Sequence, residues 1–193
     1  MKKIVLVGSS IFQGWTHAED VAPGHTVVNR AVGGTITSYW VEHLPDVMAA
    51  ESPDGVLFYC GSNDLNTEVP EATIVQNVWQ CRELVARQAP GCSFAYFGII
   101  KAPQKEGKWD LIDRLNGTIR SMLLTGDLYV ETNEVFFLNG APVARLFQED
   151  RLHLTDEAYS LLAEYARPLL FEAINARYWQ FQSIVNPRLR RHD

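Results

Sequence analysis

The sequence contains few cysteines and has no long apolar run. Its three cysteines are Cys60, Cys81 and Cys92, and their spacing matches neither a disulfide framework nor a C-x-x-C pair. Such a set is typical of buried, reduced thiols in a reducing compartment. The first apolar run, Ile4 to Val7, is too short for a signal-peptide core or a membrane span. We therefore expect a cytoplasmic protein that does not bind a membrane.

Positive charge is also scarce. The chain has 17 Lys and Arg against 23 Asp and Glu, a formal net charge of −6, and this balance argues against nucleic acid as a partner. With 193 residues the chain can bury a core without disulfides, and no repeat or linker divides it. We interpret residues 1–193 as a single domain, in which residues from about 167 to 193 form a C-terminal helical extension with a basic tail. The oligomeric state stays open.

Five short runs of β-branched or aromatic residues, bounded by Gly, Pro, Asn or Ser, are typical of strands. They are Ile4–Val7, Thr26–Asn29, Gly55–Cys60, Ser93–Ile100 and Leu128–Val130. Segments with helical periodicity separate most of them. The alternation of strands and helices predicts parallel strands with right-handed crossovers, and hence an α/β protein built as a three-layer sandwich.

Apolar residues spaced three and four apart predict the helices. The pattern is clear over Trp40–Met48, Ile74–Val85 and Ile112–Leu123. A last helix is expected after Thr155, because threonine is a good N-cap, with a break at Pro168, because proline interrupts helical hydrogen bonding.

Candidate reactive residues follow the predicted strands, as they do in sheets of this kind. The first strand leads into Gly8-Ser9-Ser10, the second is followed by Gly33-Gly34, and the third by Gly61-Ser62-Asn63-Asp64. The first segment lacks both the dinucleotide-loop glycines and the lysine of a nucleoside triphosphate loop. A serine at such a turn is either an exposed nucleophile or a helix-capping residue.

Asp150 and His153 are the most informative pair. At this spacing a carboxylate can accept a hydrogen bond from Nδ1 of the imidazole and leave Nε2 to take a proton from serine. A surface Asp beside a surface His is the alternative. Asn63 and Gly34 can likewise donate hydrogen bonds to an oxyanion, although both residue types also occur in ordinary turns.

Taken in order, four segments resemble the blocks of the SGNH hydrolases, also called GDSL-type esterases. They are V-L-V-G-S-S-I-F-Q-G-W (5–15), V-V-N-R-A-V-G-G-T (27–35), F-Y-C-G-S-N-D (58–64) and Q-E-D-R-L-H-L-T-D-E-A-Y (148–159). The resemblance covers residues 3 to about 165. Ser9 stands where the family usually has Asp, and Ala31 where Gly is common. Ser9 is therefore an alternative nucleophile, although the register Gly-Ser-Ser-Ile favours Ser10.

The resemblance implies a flavodoxin-like fold with a parallel five-stranded sheet in the order 2-1-3-4-5. It implies a catalytic triad of Ser10, Asp150 and His153. It also implies an oxyanion hole formed by the N–H groups of Ser10 and Gly34 and the side chain of Asn63. Such a mechanism needs no metal and no organic cofactor.

The expected function is that of a serine esterase. Its substrate would be a small-molecule acyl ester with a short chain, such as acetyl on a sugar or small alcohol, cleaved through an acyl-enzyme on Ser10. The alternatives are a lysophospholipase, thioesterase or acyltransferase of the same family, and a catalytically silent binding module. The polar stretch Lys101–Trp109 either borders the substrate or is a solvated connection.

Overall fold

The computed structural model describes residues 1–67 and 69–185, with side chains as far as Ile174. Five strands form a parallel sheet in the spatial order β2-β1-β3-β4-β5. They are β1 (Lys3–Gly8), β2 (Thr26–Asn29), β3 (Gly55–Tyr59), β4 (Ser93–Phe97) and β5 (Leu128–Val130). The predicted three-layer architecture and the strand order implied by the resemblance are confirmed.

Helices cover both faces of the sheet. Over the described ranges they are α1 (Ser10–Gln13), α2 (Thr37–Glu51), α3 (Glu71–Gln88), α4 (Trp109–Met122), α5 (Asn133–Phe136) and α6 (Asp156–Val185). Two short antiparallel strands, β6 (Phe137–Leu138) and β7 (Ala141–Pro142), form a separate hairpin after α5.

The central strand β1 contributes side chains to two hydrophobic cores, because successive side chains of a strand point to opposite faces. Ile4 and Leu6 pack with α1 and α6 on one face, and Val5 and Val7 pack with α2 and α3 on the other. All four side chains are fully buried. Burial on both faces explains why the strand is a continuous apolar run and does not alternate with polar residues.

The fourth strand is shorter than predicted. It ends at Phe97, before the predicted Ile100, because the backbone beyond it bonds to a side chain of α4. The Ile99 N–H donates to Oδ1 of Asn116 at 2.8 Å, and the Asn116 amide donates to the Ile99 carbonyl at 2.9 Å. The third strand likewise stops one residue before the predicted Cys60.

Helix α6 runs through Pro168, so the break predicted there is wrong. An interior proline removes a helical hydrogen bond and costs about 3 kcal/mol. Buried residues on both sides offset this cost: Leu162 and Ala166 before the proline, and Leu170 and Ile174 after it, are at most 3% exposed. The first part of the predicted C-terminal extension is therefore packed into the core.

Three smaller predictions concern the start of α6, the tail and the cysteines. Thr155 does cap the helix, because its Oγ1 accepts the Ala158 N–H at 3.3 Å. The predicted basic tail, Pro187 to His192, lies outside the described residues. The three cysteines are buried, as predicted. None of the helices that the structure describes combines the length and the apolar character needed to cross a membrane.

Candidate active site

The carboxyl end of β1 turns sharply into α1 at Gly8. This residue has a φ of +146°, and a Cβ added to it would lie 2.0 Å from the carbonyl oxygen of Tyr59, so the turn requires glycine. The Ser9 N–H donates to the same oxygen at 3.0 Å. The chain then leaves the sheet, and Ser10 becomes the first residue of α1.

The two adjacent serines lie in different environments. Ser9 is 1% exposed and precedes α1 without a capping hydrogen bond from its side chain. Ser10 is partly exposed, and its Oγ lies 2.9 Å from Nε2 of His153. Of the two, Ser10 is the serine that contacts the histidine.

Asp150 and His153 share a tight loop closed by an antiparallel bridge between Phe147 and Leu154. Oδ1 of Asp150 accepts the N–H groups of Leu152 and His153, each at 2.9 Å. Its Oδ2 lies 2.5 Å from Nδ1 of His153. The backbone thus holds the carboxylate in place, and the carboxylate orients the imidazole so that Nε2 faces the serine.

Hydrogen bonding to this carboxylate stabilises its ionised form. The bond to the His153 side chain, followed by those from the backbone of Leu152 and His153, lowers the pKa of Asp150 to about 2. The side chains of Asp150 and His153 are 48% and 37% exposed. Solvent therefore screens the pair, which contributes orientation more than stability. Arg151, between the two, has a φ of +63°, a left-handed conformation that strains a residue with a side chain.

The glycine loop after β2 passes beside Ser10. A Cβ added at Gly33 would lie 3.8 Å from the Cβ of Ser10, and the Val32 N–H donates to the carbonyl of Gly8 at 2.9 Å. Gly34 has a φ of +76°, which favours glycine. Among the hydrogen bonds of the described residues, the N–H groups of Ser10 and Gly34 have no acceptor.

Asn63 lies after β3 and reaches the same loop. Its amide nitrogen donates to the carbonyl of Thr35 at 2.9 Å, directly after Gly34. This bond uses one of the two amide hydrogens, and the other has no acceptor among the residues whose side chains the structure describes. Asn63 and Gly34 therefore present donors at neighbouring positions of the sheet edge.

The side chain of Asp64, which the sequence does not single out as a site residue, anchors the turn after β3. It is fully buried, and its carboxylate accepts the Thr37 N–H at 3.1 Å and the Thr37 hydroxyl at 2.5 Å. Burial raises the pKa of Asp64, against the effect of these hydrogen bonds. Because Thr37 begins α2, Asp64 ties the Asn63 turn to the segment that follows Gly34. The sequence signal that could have identified Asp64 is its position directly after Asn63.

The structure brings the predicted site residues to the carboxyl edge of the sheet. Ser10, His153 and Asp150 form a chain of contacts, and Gly34 and Asn63 belong to the loops after the two strands that flank β1. Among the residues with described side chains, no group of His, Cys, Asp and Glu could hold a metal ion. A serine, a histidine and an aspartate joined by such contacts on a doubly wound α/β fold form the arrangement typical of serine hydrolases.

Comparison with known families agrees with that class. Residues 6–161 match the GDSL-like Lipase/Acylhydrolase family. The chain therefore belongs to this family and is a hydrolase of ester bonds. No curated protein matches it.

Solved structures share the fold at low sequence identity. A GDSL-like lipase from Bacteroides thetaiotaomicron is 18% identical, with a TM-score of 0.73 over 91% of this chain and 88% of that chain. A lipase/acylhydrolase from Enterococcus faecalis is 18% identical, with a TM-score of 0.71 over 91% and 97%. A mutant acetyl esterase with an acetate ion is 14% identical, with a TM-score of 0.72 over 91% and 99%.

Proposed function

We propose that the protein is a serine esterase in which Ser10 is the nucleophile, His153 the general base and Asp150 the residue that orients it. The 2.9 Å contact between Oγ of Ser10 and Nε2 of His153 carries the proposal. Because Nδ1 faces the Asp150 carboxylate, the neutral imidazole keeps its proton on Nδ1. The lone pair on Nε2 then points at the hydroxyl.

The reaction proceeds in two steps. His153 takes the hydroxyl proton as Oγ of Ser10 bonds to the ester carbonyl carbon, and then passes that proton to the departing alcohol. A water molecule, deprotonated by the same imidazole, attacks the acyl carbon. The bond from that carbon to Oγ of Ser10 breaks, the imidazolium returns the proton to Oγ, and the acid is released. The N–H groups of Ser10 and Gly34 and the amide of Asn63 donate to the oxyanion in both steps. In the described structure the N–H groups of Ser10 and Gly34 and the second hydrogen of the Asn63 amide have no other acceptor, which supports this role.

The proposed substrate is a short-chain acyl ester, such as acetyl on a sugar or small alcohol. The partial exposure of His153 and Asp150 supports a site that opens to solvent, so that a polar alcohol portion can extend outward. An acetyl esterase is among the solved structures with this fold.

Ser10→Ala tests the nucleophile, with Ser9→Ala as the matched control. We expect Ser10→Ala to abolish labelling by a fluorophosphonate probe and hydrolysis of p-nitrophenyl acetate, because no hydroxyl then faces His153. Ser9→Ala should retain most of both, since Ser9 is buried away from the imidazole. Full labelling of Ser10→Ala would contradict the assignment.

A series of p-nitrophenyl esters of increasing acyl length tests the substrate. We expect kcat/KM to be highest for acetate. A maximum at long chains would favour a lysophospholipase or thioesterase. Product formation that requires an added alcohol acceptor would favour an acyltransferase.

A further inference from the structure

The loop Lys101–Trp109, whose role the sequence leaves open, lies against the segment that carries the acid–base pair. The Gln104 N–H donates to the carbonyl of Arg151 at 2.9 Å. The Arg151 guanidinium also approaches the Glu106 carboxylate at 3.7 Å. Because Arg151 directly follows Asp150, this side of the loop supports the aspartate–histidine segment.

The same loop also holds the turn that follows Asn63. Nζ of Lys105 donates to Oδ1 of Asn66 at 2.8 Å, and Nζ of Lys108 donates to the carbonyl of Leu65 at 2.5 Å. The Asn66 N–H donates in turn to the carbonyl of Asn63 at 2.9 Å. A displacement of Asn66 is therefore transmitted directly to the backbone of Asn63.

Lys105 is buried to a degree that is rare for lysine. It is 1% exposed, and in the described part of the chain its hydrogen-bond acceptor is the neutral Asn66 amide, with no carboxylate paired to it. Burial, with a smaller effect of the Lys108 charge, lowers the pKa of Lys105 to about 8. A buried ammonium without a counter-charge costs stability. Among the described residues, stability alone therefore does not account for a lysine at this position.

We propose that Lys105 is a positioning residue for the oxyanion hole, holding the Asn63 amide in place through its hydrogen bond to Asn66. The inference rests on the proposed role of Asn63. Asp64 secures the turn from the glycine-loop side, and Lys105 secures it from the side of the aspartate–histidine segment. A donor aimed at the oxyanion acts in the transition state, so its displacement lowers kcat and leaves KM nearly unchanged.

Lys105→Met tests this role, because methionine keeps the apolar stem and lacks the donor. We expect kcat for p-nitrophenyl acetate to fall about tenfold to a hundredfold, as small misplacements at a reacting centre do, with KM nearly constant. Asn66→Leu should lose a similar factor. Asn66→Asp, which keeps an acceptor for Lys105, should retain most of the rate. The double variant Lys105→Met/Asn66→Leu should be no slower than the slower single variant, because both remove one interaction.

Lys101→Met is the matched control, since Lys101 belongs to the same loop but pairs with Asp113 at 3.0 Å. Its kcat should stay near wild type, and thermal unfolding checks that each variant folds. Wild-type kcat in Lys105→Met, additive losses in the double variant, or a change confined to KM would overturn the inference. Should Lys105→Met not fold, equal kcat in Asn66→Leu and Asn66→Asp would overturn it instead. Activity retained by Ser10→Ala would refute the proposed function itself, which separates the two failures.

Discussion

His153 is the residue on which the proposed chemistry converges, because one ring nitrogen faces Ser10 and the other faces Asp150. We expect His153→Ala to lose nearly all activity, since it removes the base. Asp150→Asn keeps the shape of the carboxylate but favours the wrong tautomer, a change that costs about 10⁴ in kcat in other triads. The double variant should be scarcely slower than His153→Ala, because residues that act as a unit are non-additive. Additive losses in kcat would contradict a triad.

The pH profile is a second measurement of the same prediction. Because the pKa of Asp150 is lowered to about 2, its carboxylate stays ionised above that pH. Protonation of Asp150 therefore does not contribute to the pH profile near neutral pH. Protonation of His153 removes the lone pair that faces Ser10, so kcat/KM should fall as the pH is lowered. A rate that is constant between about pH 5 and 8, where histidines usually titrate, would argue against His153 as the base.

At the scale of elements, the site depends on the turn from β1 to α1. In Gly8→Ala the new methyl group would meet the carbonyl oxygen of Tyr59 at 2.0 Å, and Gly8 is paired with Tyr59 in the sheet. The backbone of Gly8 cannot move away from this oxygen without disturbing the pairing of the two strands. We expect a loss of about 1–3 kcal/mol or more in the free energy of unfolding, typical of backbone strain, measured by denaturant titration.

Gly24→Ala is the matched control for that change. Gly24 also has a positive φ, +81°, but a Cβ there would meet nothing within 4 Å. Its variant carries the strain of the left-handed backbone without the collision, and should be less destabilised than Gly8→Ala. Equal losses in the two variants would show that the collision with Tyr59 is unimportant.

At the scale of the molecule, α6 packs on the same face of the sheet as α1 and links distant parts of the chain. The Tyr159 hydroxyl donates to the carbonyl of Ile11 at 2.7 Å, and Nζ of Lys2 donates to the carbonyl of Ile174 at 2.7 Å. Helix α6 therefore contacts both the segment that carries Ser10 and the start of the sheet.

Leu170→Ala tests whether this end of α6 is part of the core. Leu170 is 2% exposed, so we expect a loss of about 2–5 kcal/mol in the free energy of unfolding, as for other buried leucines. Phe171→Ala, its neighbour, should change stability by less than about 0.5 kcal/mol, because Phe171 is 63% exposed. Urea unfolding measures both, and equal effects would place Leu170 outside the core.

Features that depend on neighbouring residues could be predicted from the sequence. Strand β1 follows from a short apolar run, because burial on both faces requires apolar residues at every position. The contact of Asp150 with His153 follows from a spacing of three residues in one loop, over which side chains meet without help from the rest of the fold. The strand order came from the resemblance to a family and was not encoded in the periodicity.

Contacts between distant segments could not be predicted from local patterns, because they depend on how the elements pack. Ser10 and His153 lie 143 residues apart in sequence, and their distance depends on how α1 and α6 pack on one sheet face. The bond from Lys105 to Asn66 is equally invisible to local patterns, since a lysine in a polar loop is normally solvated. The continuation of α6 through Pro168 was decided in the same way, because burial of flanking residues outweighed the local preference of proline.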